Sequence, residues 1–186
     1  MTSFDSILTQ ATTDLSQREA ENNKWLKADG TPCTNYIWKY ASKTKQGDAG
    51  ENVVKDVLMV ILTEAHGEGV IVDVVNMGKG DFDVQVTLPT GKVYTFEVKT
   101  ATEDVNGSHQ FNGLKKTIEY DFAFLFGVAP EGFYFNIATH EHLCKVMTTN
   151  MSKSVIGAYK YTLKQSKLDV LTPANLKAAL AQVGLV

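Results

Sequence analysis

The chain of 186 residues holds only two cysteines, four prolines and one arginine, Arg18. Cys33 and Cys144 stand apart with no C-x-x-C pair. This argues against a disulfide framework or a thiolate zinc site, and for reduced thiols in packing roles. No proline-rich linker, low-complexity tract or internal repeat divides the chain, so a single domain over 1–186 is expected. No apolar run approaches the roughly 18 residues of a membrane span. The first twenty residues show neither a basic start nor an apolar signal core, so a cytoplasmic protein without a membrane partner is expected. With arginine nearly absent, the usual bidentate reader of guanine is missing. Any nucleic-acid contact must rest on lysine, asparagine, glutamine and backbone groups.

What is present suits an ordinary globular domain: 44% hydrophobic and 21% charged residues, enough to build a core without metal or disulfides. The net charge of −3 excludes a generally adhesive polycation. Its distribution is uneven, because from His140 onward six lysines face only Glu141 and Asp169. Such asymmetry can set a basic face beside an acidic pocket.

Hydrophobic periodicity orders the elements. Residues 1–46 read as a helical extension, broken at Gly30–Pro32 and resuming at Tyr36, Ile37 and Tyr40. Val54, Val57, Leu58, Ile61 and Leu62 mark an amphipathic helix from near Asp48 to Gly67. Three β-rich runs follow at 70–76, 81–88 and 92–100, predicting a meander. A polar loop over 102–109 leads to an expected short helix over 111–118, and then to an apolar run at 121–128 that suits a strand buried on both faces. A strand at 133–138, a helix from Thr139 or His140, an edge strand at 159–163 and a helix capped by Thr172 and Pro173 complete the order. The fold class expected is α/β, a mixed central sheet flanked by helices, with a core at 47–138 and C-terminal elements at 139–186.

The chemistry concentrates in Gly80-Asp81-Phe82-Asp83-Val84-Gln85-Val86 and in Phe96-Glu97-Val98-Lys99. Side chains alternate on a strand, so Glu97 and Lys99 share a face, and a tight turn brings Asp83 to the same end of the hairpin. Two adjacent carboxylates favour a divalent cation between them, and hard oxygen donors select Mg2+, with Mn2+ as a substitute. Such a cation suits phosphodiester hydrolysis, with Lys99 orienting water or neutralising charge on phosphorus.

These residues resemble the PD-(D/E)XK nuclease superfamily, the restriction-endonuclease-like fold. The matching positions are Asp83, Glu97-Val98-Lys99, and Glu51 on the preceding helix. The resemblance spans about residues 47–138 and implies that Asp83, Glu97 and the Val98 carbonyl bind the metal, that Lys99 assists the water, and that Glu51 acts through a second metal or its water. Phe82 stands where the family has proline, and Asp81 competes with Asp83 for the metal. Glu51 has a second reading, as the partner of Asp48 in a capping box.

Lys43, Lys45, His109, Gln110, Asn112, Lys115 and Lys116 are candidate contacts to phosphates or base edges. The function expected is a metal-dependent DNA endonuclease, restriction-like or homing-like. A two-fold homodimer is expected, since cutting both strands needs two centres. The alternatives are a junction-resolving nuclease and a non-catalytic nucleic-acid-binding or assembly protein on the same scaffold.

Overall fold

The computed structural model describes residues 23–75, 82–146, 151–155 and 158–186. The helix expected before residue 23 and the rival metal ligand Asp81 lie outside the described residues. In chain order the elements are α1 (Tyr36–Tyr40), α2 (Lys43–His66), β1 (Ile71–Val74), β2 (Val84–Thr87), β3 (Val93–Thr102), β4 (Ser108–Lys115), β5 (Phe122–Ala129), β6 (Gly132–Thr139), α3 (His140–Val146), β7 (Met151–Val155), β8 (Ala158–Lys164), β9 (Asp169–Val170) and α4 (Pro173–Gln182).

The strands form two sheets. One has six strands in the order β1-β2-β3-β5-β6-β9; the other has three, in the order β4-β8-β7. Among the described residues only the β3–β5 pair is parallel. The result is a mixed α/β architecture with a mostly antiparallel central sheet. Every residue of β5 is buried, as its unbroken apolar run requires. Phe122, Phe124, Phe126 and Val128 face the helical layer, where they join Val54, Leu58 and Leu62 of α2 and Leu176 and Leu180 of α4. Ala123 and Leu125 face the opposite way, against Phe111 and Leu114 of β4 and Leu143 of α3. The central sheet is thus flanked by long helices on one side and by the small sheet with α3 on the other.

Three local expectations change. The segment 111–118 is not a helix: β4 runs through it to Lys115. Phe111 and Leu114 are three apart and look helical, but a bulge between Asn112 and Leu114, at Gly113 with φ +83°, brings both to one face of a strand. Helix α2 begins at Lys43, ahead of Asp48, because Ser42 is the N-cap and accepts from Lys45 N at 3.3 Å. Asp48 and Glu51 therefore lie inside the helix, and the capping-box reading of Glu51 is excluded. The strand at 159–163 is the centre of the small sheet rather than an edge. The Thr172 cap stands as expected, accepting from Asn175 N at 3.2 Å.

Candidate active site

Strand β3 outruns its neighbour β2. Their ladder ends at Val84 opposite Phe96, so from Glu97 to Thr102 the strand pairs only with β5 and leaves one edge open. Asp83 stands at that point of separation. Its N–H donates to Phe96 O at 2.9 Å, and its carboxylate Oδ2 accepts from Val98 N at 2.8 Å. The carboxylate thus takes the place of the missing strand partner, which fixes its orientation.

Lys99 lies on the same face as Glu97. Its Nζ is 3.5 Å from Asp83 Oδ2 and 3.2 Å from the Val98 carbonyl oxygen, and it is ion-paired with Glu97 Oε1. Three oxygen groups, one from Asp83 just ahead of β2 and two from β3, therefore converge on one positive charge, with Glu97 and Lys99 sharing a face as strand alternation requires. Glu97 is 8% exposed. Burial, with Asp83 adding to it, lifts the Glu97 carboxyl above its usual range, although Lys99 opposes the shift. Burial alone would lower Lys99, but the charges of Glu97 and Asp83 together outweigh it and hold the ammonium protonated.

Glu51 reaches the same place from α2. Helix and strand meet at Gly50, where an added Cβ would stand 1.9 Å from Thr100 Oγ1, so only glycine permits this approach. Burial, reinforced by Asp83 and Asp48, lifts Glu51 to about 7. An open cleft of about 600 Å3 beside this cluster is lined by Glu51, Val98 and Lys99 and by Gln110, Asn112 and Asp104. Lys39, whose Nζ donates to Glu103 O at 3.2 Å, and Lys43 line it as well. Burial, with Lys39 nearby, lowers the Lys43 ammonium below its ordinary value.

Asp83, Glu97, Lys99, Glu51 and the Val98 carbonyl are thus gathered in one region, with Lys43, Gln110 and Asn112 lining the same cleft. The other contact candidates fall elsewhere. His109 has no exposed surface, so it cannot contact nucleic acid in this structure. Its ring fills the space above Gly127, with Cδ2 3.0 Å from the Cβ that Gly127 lacks. Lys45 is exposed on the first turn of α2, Lys115 is exposed at the end of β4, and Lys116 sits 5.5 Å over the Tyr159 ring. Lys39 and Gln46 were not among the expected site residues. The spacing of Lys39 four before Lys43 was the available signal. Gln46 is buried and donates to Trp38 O at 2.6 Å and Ala41 O at 3.0 Å, which ties α1 to the start of α2.

Among the described residues no three carboxylate, imidazole or thiol side chains converge as a metal group. Side chains here offer two hard ligands and the backbone a third. That set suits a hydrated Mg2+, which keeps several waters and takes few protein ligands.

No family model matches the sequence, and no curated protein matches it. Among solved structures the chain is similar to a bacterial homing endonuclease, I-Ssp6803I, with a TM-score of 0.46 and 13% identity over 68% of this chain and 81% of that one. No helix among the described residues is long and apolar enough to cross a membrane.

Proposed function

We propose that this protein is a divalent-metal-dependent DNA endonuclease of PD-(D/E)XK type. The observation that carries the reading is the convergence of Asp83 and Glu97 on Lys99, which lines a cleft together with Glu51, a carboxyl lifted to about 7. Asp83, Glu97 and the Val98 carbonyl would hold Mg2+ or Mn2+. When bound, the ion supplies Lewis-acid polarisation of a phosphate oxygen and acidifies water.

The chain's own groups account for the rest. Lys99 stays protonated, so it serves as a cationic donor to the phosphate and not as a base. Glu51, ionised above about pH 7, accepts the proton of the attacking water while that oxygen bonds to phosphorus, and the departing ester oxygen takes its proton from solvent water. Lys39 and Lys43, which line the cleft, hold the flanking backbone phosphates.

The test is incubation of supercoiled plasmid with Mg2+ or Mn2+ and with the variants Lys99→Ala and Asp83→Asn. Wild type should cut and both variants should fail. Nicked circles ahead of linear product would point to single centres acting in turn, and direct linearisation to a homodimer. A second reading, a non-catalytic nucleic-acid-binding protein, is favoured by one fact: Lys99 is ion-paired with both carboxylates without an added ion. Binding of DNA with no cutting under any divalent cation would establish that reading instead. Four-way junctions and RNA, run beside linear duplex, distinguish a junction-resolving or RNA-directed enzyme.

A further inference from the structure

The small sheet has two faces of different chemistry. On the inner face His109, Phe111 and Leu114 of β4 pair with Leu163, Tyr161 and Tyr159 of β8. Phe111, Leu114 and the three β8 side chains pack into the second apolar cluster. On the outer face Gln110 pairs with Thr162 and Asn112 with Lys160. Gln110, Asn112 and Thr162 are exposed and Lys160 is half-exposed. No carboxylate among the described residues forms an ion pair with Lys160. Asn112 spends one N–H on Gln110 O at 3.3 Å, which leaves the other N–H and the amide oxygen free to present.

This outer face begins inside the cleft. Gln110 and Asn112 line it together with Lys99 and Glu51, so a duplex whose phosphate enters the carboxylate–lysine cluster lies against the β4–β8 ribbon. A two-stranded antiparallel ribbon fits the major groove, which is about 12 Å wide. Same-face neighbours on a strand are about 6.6–6.8 Å apart, close to two base-pair rises of about 3.4 Å. Carboxamides present a donor and an acceptor side by side, the pattern that matches adenine N6 and N7. An amide that donates to a phosphate carries no sequence information, whereas one paired with a base edge discriminates, which is what the test below separates.

We propose that the outer face of the β4–β8 ribbon reads base edges in the major groove beside the bond to be cut, with Gln110 and Asn112 as the adenine readers and Lys160 and Thr162 flanking them. The proposal rests on the nuclease reading for DNA as the ligand, and it assigns to β4, with β8 beside it, a specificity role additional to hydrolysis.

The experiment is selection of bound duplexes from a randomised DNA library with Ca2+ in place of Mg2+, which reads binding apart from cutting, followed by sequencing. Wild type should enrich a motif containing A·T positions. Asn112→Ala and Gln110→Ala should each lose the preference at one position, by roughly 10- to 100-fold. Asn112→Asp keeps the volume and removes the donor, so it should lose the same adenine and guards against an effect of truncation alone. An unchanged motif in all three variants, a uniform weakening across sequences, or no motif from wild type would overturn the proposal. Plasmid cutting with Mg2+, run in parallel, separates the two readings. Cutting without a motif removes only the ribbon's role. A ribbon-dependent motif without cutting removes only the hydrolytic role.

Discussion

Glu51 is where residue-level physics makes the sharpest statement. Its folded-state carboxyl titrates near 7 against an ordinary 4.5, so its contribution to stability is fully present below about pH 4.5 and is lost as pH rises through 7. Part of its surface meets solvent, so screening reduces the cost to about 1 kcal/mol at pH 8. Glu51→Gln without metal should therefore melt about 2–4 °C above wild type at pH 8, with the gain gone at pH 4.5 in a calorimetric series. Lys99 behaves in the opposite sense. Lys99→Met removes the charge that compensates the buried Glu97 and should cost about 3 kcal/mol at pH 8 by urea denaturation. The loss should shrink as the pH falls and Glu97, itself lifted by burial, takes up a proton. The same substitution should abolish cutting, whereas Glu51→Gln should slow it while stabilising the fold. Stability and activity would then move in opposite directions at one of these two positions and together at the other.

Elements explain which of these residues could be read from the sequence. Strand alternation places Glu97 beside Lys99, and the hairpin places Asp83 with them, because both follow from period-2 geometry and a short turn. The stripe of Val54, Leu58, Ile61 and Leu62 likewise gives the buried face of α2. The start of α2 was hidden, since Ser42 precedes a polar first turn whose only buried residue is Gln46. Strand β4 was hidden by its bulge at Gly113, which mimics helical spacing. The contact of helix with sheet at Gly50 was not legible at all, since nothing near Gly50 announces Thr100 against it. That contact yields a prediction with a decidable sign. An exposed helical Gly→Ala change gains about 1 kcal/mol, but here the new Cβ meets Thr100 Oγ1, and overpacking of this kind costs about 1–3 kcal/mol. Gly50→Ala should therefore destabilise and displace Glu51. Thr100→Ala removes a buried hydroxyl that has no hydrogen-bond partner in the structure and should be nearly neutral. In that background Gly50→Ala should recover most of its cost, a coupling measurable by a double-mutant cycle.

At the scale of the whole molecule the site depends on three layers in register: α2 carries Glu51, the central sheet carries Asp83, Glu97 and Lys99, and the small sheet carries Gln110 and Asn112. The second and third layers touch at Gly127, where an added Cβ would stand 2.9 Å from Leu168 Cδ1 and 3.0 Å from His109 Cδ2. Burial lowers the His109 pKa and keeps the ring neutral, although Glu103 and the Val128 backbone oppose the shift, and the ring packs 6.4 Å from Phe111. Gly127→Ala should push β4 away from β5 at a cost of about 1–3 kcal/mol and shift the wall of the cleft that bears Gln110. Leu180→Ala, in the helical layer on the far side of the central sheet, removes a fully buried side chain and should cost about 2–5 kcal/mol without moving that wall. Hydrogen exchange separates the two kinds of damage. Gly127→Ala should raise exchange in β4 and β8 more than in α2, and Leu180→Ala should raise it in α2 and α4 while the small sheet keeps its protection relative to the rest. Equal loosening of all layers by both substitutions would mean that the small sheet unfolds only with the whole domain, so that the wall carrying Gln110 and Asn112 is as rigid as the strands carrying Asp83 and Glu97.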